Sequence, residues 1–400
     1  VIVVEHEEDA IRSADYLIDV GPFAGSLGGE IVFAGNAKDI IKNPVSLTTQ
    51  YLTGKMQIEI PKKRRKPVNF IQIKGAQQNN LKNIDVAIPL NALSVITGVS
   101  GSGKTTLIKQ ILYPYLKSQL EGFGEKPGLF REISGYKNKL KKIEFVDQNP
   151  IGRSSRSNPV TYIKAYDAIR DLFASQSLSK IRGYQPKHFS FNVEGGRCDA
   201  CEGEGEQIVE MQFLADVHLQ CEVCGGKRFK QEILEVNYNE KNIADVLELT
   251  VDDAILFFKD KKEVVARLQP LQDVGLGYIH LGQSSSTLSG GEAQRVKLAS
   301  FLGKGAAKDP VLFIFDEPTT GLHFHDISKL LKAFYALIEI GHTVIVVEHN
   351  MDVIKCADWI VDLGPKGGEE GGNLVFQGTP EDMIKNKKSV TAVYLKEKLT

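Results

Sequence analysis

A multi-domain α/β fold, with an antiparallel β subdomain and a separate helical lobe that carries cysteines, is what this sequence predicts. Three observations carry that reading. Short β-branched runs alternate with helical patterns, a glycine-rich loop joins one such run to a helix, and four cysteines in two CxxC pairs lie between that loop and a second glycine-centred run, LSGGE. The 400 residues, 42% of them apolar, suffice for one large core or two to three ordinary ones. With 49 basic and 50 acidic side chains the formal net charge is -1, so any nucleic-acid surface is a local patch and not a property of the whole chain. Apolar runs such as residues 344–347 are far shorter than the roughly 20 residues a membrane-spanning helix needs. The opening VIVVEH lacks the charged start of a secretory signal. A reducing, cytoplasmic setting without membrane contact is therefore expected, and it suits metal-bound thiolates better than disulfides. Cys356, outside the pairs, is expected to be a buried small side chain.

In chain order, the first feature is a repeat. Residues 1–52 align without a gap to residues 344–395, with about half the positions identical, including VIVVEH at both starts and Tyr51-Leu52 against Tyr394-Leu395. Repeats of this length argue for duplicated structural units. The second copy closes a unit that begins near Pro67, whereas the first is a tail without a head, so the chain is expected to be the C-terminal portion of a tandem protein. Residues 53–66 form a basic linker with Lys62, Lys63, Arg64, Arg65 and Lys66, either a solvated connector or a contact for a phosphate backbone. Residues 67–116 are expected to hold the first part of a core, with antiparallel strands over 68–88, a strand over 93–97 and a helix over 105–112. Residues 117–287 are assigned to the helical lobe, with a cysteine module at about 190–232. A strand over 143–146 is expected within that span. Residues 288–400 return to the core, with buried parallel strands at 311–315 and 343–347 and helices at 293–302, 327–340 and from 351.

Gly98-Val99-Ser100-Gly101-Ser102-Gly103-Lys104-Thr105 has the phosphate-loop pattern between a strand and a helix. Its glycines allow backbone N–H groups to approach phosphates, Lys104 supplies a point charge, the Thr105 hydroxyl suits Mg2+, and Thr106 follows as a further nucleotide contact. Asp316 and Glu317 end a buried strand, where an acidic pair is costly unless it meets a cation or water. Asp316 suits the metal's shell and Glu317 the orientation of an attacking water, with capping of the following turn as the structural alternative. Gln148 and His349, each at a strand end, are candidates to sense metal and water and to bond the terminal phosphate. Ser289, Gly290, Gly291 and Glu292 open a helix and present N–H groups in an anion-binding geometry. Phe70 is a candidate for stacking on adenine.

Cys198 and Cys201 are separated by 19 residues from Cys221 and Cys224, a spacing read as a four-thiolate zinc site of the structural kind. Arg197, Lys227, Arg228 and Lys230 flank the pairs. They are either part of a clasp that holds a basic hairpin on a duplex or ordinary solvated surface.

The order of GVSGSGKTT, VDQNPIGRSSRSNPVTY, FSFNVEGGRCDACEGEG, CEVCGGKRF, LSGGEAQRVKLA, LFIFDEPTTGLHFHD and VVEHN resembles the UvrA family, the damage-sensing ABC-type ATPases of bacterial nucleotide excision repair, over essentially the whole chain. The resemblance implies an ABC-type P-loop NTPase core with an antiparallel β subdomain, a helical signature domain and an inserted zinc module. It makes residues 1–52 the tail of a first ATPase. It further implies ATP, Mg2+ and Zn2+ as cofactors. Glu317, His349 and Gln148 become catalytic, and Ser100, Gly101, Ser102, Gly103, Lys104, Thr105, Thr106 and Asp316 become nucleotide contacts. Gln148 joins Thr105 and Asp316 around magnesium. The implied partners are lesion-bearing double-stranded DNA, UvrB through a domain absent from this sequence, and a second copy in a homodimer, with LSGGE closing on nucleotide held by another ATPase unit. The resemblance leaves two competing functions, a paralogue acting in resistance to DNA-binding drugs and an ATPase coupled to transport.

Overall fold

The computed structural model describes residues 1–22, 25, 28–152, 157–209, 211, 217–303 and 309–399. Residues 153–156 of the GRSSRS stretch, and residues 210 and 212–216 of the cysteine module, lie outside the described residues. Two compact units are present, one from residues 1–148 with 304–400 and one from residues 149–303.

The first unit contributes β1 (Tyr16–Gly21), β2 (Glu30–Asn36), β3 (Phe70–Ala76), β4 (Ile84–Pro89), β5 (Leu93–Gly98), β6 (Glu132–Ser134) and β7 (Lys142–Val146). The second unit holds β8 (Glu206–Val209) and β9 (Val217–Gln220), after which the chain returns to the first with β10 (Val311–Asp316), β11 (Thr343–Val347), β12 (Trp359–Gly364) and β13 (Asn373–Gly378). The central sheet runs in the order β13-β12-β5-β11-β10-β7, parallel except for β13. Because β11 is covered on both faces, its sequence TVIVV reads as a nearly continuous apolar run and not as an alternation, and β5, covered likewise, buries even Ser94 and Thr97. The antiparallel sheet β4-β3-β6 supplies Ile71, Ile73, Val86 and Ile88 to the same core as Leu107, Ile108 and Ile111 of the helix after β5.

The structure divides the chain at other points than the sequence suggested. The helix after the glycine loop does not stop at Leu112. Thr106–Leu112 forms wide π-type turns that pass directly into the α-helix Tyr113–Glu121, and Leu116 of that extension is buried in the first unit's core. β7 adds to the edge of the central sheet against β10, so residues 117–148 belong with the first unit. The helix Gly290–Leu302 buries Ala293, Val296, Leu298 and Ala299 within the second unit and packs there beside the helix Lys262–Asp273.

The repeat is visible in three dimensions. β1 pairs antiparallel with β2 and bulges after Asp19, and β12 pairs with β13 and bulges after Asp362. Ser46 and Thr48 donate to the Asp19 carboxylate at 2.5 and 3.1 Å, and Ser389 and Thr391 donate to Asp362 at 2.7 and 3.1 Å. The copies diverge where the sheet extends. Val361 and Leu363 are 0% and 1% exposed because β12 lies against β5, whereas their counterparts Ile18 and Val20 are 58% and 62% exposed in a two-stranded ribbon. Apolar burial is the dominant stabilising contribution, so the first copy opens at lower cost. Limited proteolysis is expected to cut within residues 1–52 well before 344–395, as read by mass spectrometry of the first products. Simultaneous cleavage of both copies would contradict this.

The linker is solvated in part and fastened in part. Arg64 donates to the carbonyls of Ala357 and Lys355, both at 2.7 Å, and pairs with Glu381 at 2.8 Å. Arg65 meets the buried Asp358 through its backbone N–H at 3.0 Å and its guanidinium at 3.3 Å, and that guanidinium lies over the Tyr335 ring. Two of the five cations thus fasten the linker to the first unit, and Lys62, Lys63 and Lys66 are exposed.

Candidate nucleotide and metal sites

Four neighbouring parallel strands, β5, β11, β10 and β7, end on the same edge of the central sheet. The residues that follow them are Gly98 to Thr105, Glu348 and His349, Asp316 and Glu317, and Gln148, so the topology gathers groups scattered over more than half of the sequence. That edge, where strand C-termini face helix N-termini, is where open α/β sheets bind ligands.

The loop after β5 requires its glycines. A Cβ on Gly98, at φ +133, would sit 2.0 Å from the carbonyl oxygen of Leu363, and one on Gly103, at φ +105, would sit 2.7 Å from the Leu81 side chain. Lys104 folds back over the loop and donates to the carbonyls of Gly98 and Val99 at 2.8 and 3.1 Å. Burial pulls its pKa down, opposed by the charges of Glu317, Asp362, Asp316 and Glu348. The Ser102 hydroxyl is buried without a hydrogen-bond partner among the described residues, and Thr105 is exposed. An orphaned donor and a lysine resting on carbonyls fit a phosphate chain.

Asp316 sits at the end of β10 with its carboxyl raised above the ordinary range, first by burial and then by the charge of Glu317. A carboxylate crowded in this way and the Thr105 hydroxyl are hard oxygen donors, which fit Mg2+. Glu317 is exposed and adopts φ 47, a strained conformation for a residue with a side chain. Its carbonyl accepts from Gln148 Nε2 at 3.1 Å, and its N–H donates to Val347 O at 3.0 Å. His349 is exposed beyond β11, with Nδ1 4.0 Å from Glu348 Oε2. The structure therefore brings Gln148, Glu317 and His349 to one edge together with Lys104.

In the second unit, Ser289 caps the helix Gly290–Leu302. Its side-chain oxygen accepts from Glu292 N at 3.3 Å, while the Glu292 carboxylate accepts from Ser289 N at 2.8 Å and from the Tyr278 hydroxyl at 2.5 Å. This capping box makes Gly290 and Gly291 the helix's first turn, three residues earlier than the apolar pattern indicated.

The four cysteines converge as their spacing indicated. All four sulfurs lie within 4.8 Å of one another, with Cys201 and Cys224 at 3.6 Å. A tetrahedral ion with metal–sulfur bonds of about 2.3 Å needs sulfurs about 3.8 Å apart. The Gly205 N–H donates to Cys201 Sγ at 3.3 Å. The N–H of Cys224 pulls the Cys221 thiol down to about 7, whereas burial pushes Cys201 and Cys224 up. A donor set of four soft sulfurs in tetrahedral range fits a structural metal ion.

The surrounding cations are largely committed. Arg197 pairs with Glu202, Lys230 pairs with Asp199 at 2.8 Å, and Arg228 covers the Phe191 ring. In the described strands of the hairpin Gln207, Val217, His218, Leu219 and Gln220 are exposed and none is Lys or Arg, so the cations of the module flank the cysteines and do not line β8 or β9. The expectation for Phe70 is corrected. Its ring packs edge-on to Trp359, which pairs with Ser94 at the start of β5, the end remote from the phosphate loop. Cys356 is buried as expected, its thiol pushed up to about 11 by burial.

Sequence reasoning missed Asn80, whose Nδ2 donates to Gly101 O at 2.9 Å and to Gly368 O at 3.0 Å, and missed the buried Glu348 and Asp362. Their only signal was repetition: Glu348 and Asp362 each recur in the first copy, as Glu5 and Asp19.

No family model matches the chain. It is 54% identical over 399 residues to the UvrABC system protein A of Clostridium perfringens, covering 100% of this chain and 42% of that protein. It is 56% identical over 396 residues to the UvrABC system protein A of Staphylococcus epidermidis, covering 99% and 42%. The solved structure of UvrA2 from Deinococcus radiodurans superposes with a TM-score of 0.91 at 46% identity, covering 98% of this chain and 47% of that one. The chain thus spans less than half the length of the relatives it matches. Identity above half along the whole chain, together with that backbone agreement, makes this chain a member of the UvrA family.

Proposed function

We propose that this chain supplies an ATP-binding and ATP-hydrolysing unit of a UvrABC-type excision repair system, working in the cytoplasm on distorted duplex DNA to load UvrB. The observation that carries the enzymatic part is the gathering of Lys104, Asp316, Glu317 and His349 at the C-terminal edge of one parallel sheet. Loop N–H groups and Lys104 receive the β- and γ-phosphates, Lys104 exchanging its two carbonyl partners for phosphate oxygens. Thr105, Asp316 and Gln148 would hold Mg2+, which would neutralise phosphate charge. Glu317 orients the attacking water and takes up its proton, and His349 bonds the terminal phosphate. The capped LSGGE turn offers N–H groups to nucleotide held by another unit, within a homodimer. Zinc in the four-cysteine cluster serves as a structural clamp on the hairpin.

Lys104→Ala is expected to weaken ATP binding by roughly 10- to 100-fold, as a charged hydrogen bond of about 1.5–3 kcal/mol dictates, measured by isothermal titration. Unchanged affinity would remove the nucleotide site. Competition between lesion-bearing and intact duplex across salt concentrations tests the DNA part, and equal affinities would sink it.

A further inference from the structure

Glu348 is 1% exposed, yet no Lys or Arg side chain pairs with it directly among the described contacts; its carboxylate is satisfied by four donors from two loops. Oε1 accepts from the backbone N–H of Thr319 at 3.0 Å and from the Thr319 hydroxyl in a very short bond. Oε2 accepts from the N–H of His349 at 2.8 Å and from that of Asn350 at 3.0 Å. Thr319 lies two residues after Glu317, and His349 directly follows Glu348. One side chain therefore links the loop that carries Glu317 to the turn that carries His349. Its own N–H donates to Ile96 O at 3.1 Å on β5, two residues before the phosphate loop begins, which fixes the link to the sheet.

We infer that Glu348 is a positioning residue, whose carboxylate sets the spacing between Glu317 and His349 and makes a shift of either loop move the other. A buried carboxylate suits the task because it accepts on both oxygens and donates nothing, so all four bonds point inward from the loops. The repeat shows the same residues without the link. In the first copy Glu5 and His6 are not part of a strand, and Glu5 accepts from the His6 N–H at 2.9 Å.

The inference rests on the proposed ATPase reading, and Glu348→Gln separates the two. The amide is almost isosteric, but its NH2 must face one pair of donors and break that side of the link. Measured on the full chain with ATP and Mg2+, Glu348→Gln is expected to lower kcat at least tenfold with KM and ATP affinity within about threefold. In a His349→Ala background it is expected to lower kcat by less than threefold, because the two residues act through one geometry. Unchanged kcat, or full additivity with His349→Ala, overturns the inference while leaving the ATPase reading intact. Absence of hydrolysis in the parent protein overturns the reading itself. Should Glu348→Gln fail to fold, Thr319→Val removes the hydroxyl bond alone. A selective loss of kcat there supports the link, and no loss overturns it.

Discussion

Glu317→Gln leaves ATP bound and almost unhydrolysed: turnover is expected to fall by about 10²- to 10⁴-fold, the range that a positioned general base contributes. The amide keeps the shape of the side chain and can still bond a water, but it cannot accept the proton. Binding should survive for an electrostatic reason. The charge of Glu317 is one of the causes that raise the Asp316 carboxyl, and it sits in the same acidic group as Asp362 and Glu348 around Lys104. Removing one negative charge from that group favours a polyphosphate, so ATP affinity should hold or improve. Single-turnover hydrolysis and equilibrium titration of the same preparation check both halves. A variant that loses affinity in proportion to its rate would assign Glu317 to binding or to the fold, and one that keeps its rate would remove it from the chemistry.

The hexapeptide VIVVEH shows how far local sequence reaches. At Val344 its first four residues lie in the central strand β11, buried between β5 and β10; at Val1 the same four are exposed outside any strand. Pattern alone cannot distinguish the two, because a strand's stability lies in the neighbours it pairs with. Where the signal is chemical, the sequence is explicit. Glycines that admit no Cβ lie beside a lysine among carboxylates, and in the other unit four cysteines in two CxxC pairs converge on one another. Less legible is whatever depends on contacts between distant segments. Tyr113–Glu121 continues a helix because Leu116 finds the first unit's core, not because of its own periodicity. Arg64 and Arg65 read as solvated charge until the carbonyls of Lys355 and Ala357 and the carboxylate of Asp358 come within reach. The carboxylate of Glu348 becomes informative only when Thr319 arrives from 29 residues upstream.

Cys221→Ala, or chelation of the metal, is expected to unfold the cysteine module while leaving nucleotide affinity unchanged. Cys198, Cys201 and Cys221 are buried with one another, and Cys224 is the partly exposed fourth. At the base of the module Phe229 is buried against Phe191, but the described part of the hairpin beyond it has no such core. The N–H groups of Cys198 and Cys221 bond to Arg228 O and Gly205 O, and the hairpin β8–β9 above is exposed along β9. A structural zinc in a small module contributes on the order of 10–16 kcal/mol of apparent binding free energy near neutral pH, far more than a short ribbon can recover from its own burial. The parent protein should therefore carry one zinc per chain by elemental analysis. Cys221→Ala should lose it, and hydrogen exchange should rise across residues 198–230. The phosphate loop lies in the other compact unit, with its own core, so ATP titration should be unaffected. Retention of the metal by Cys221→Ala, or unchanged protection of the hairpin after its removal, would mean that the cysteines are not the clamp.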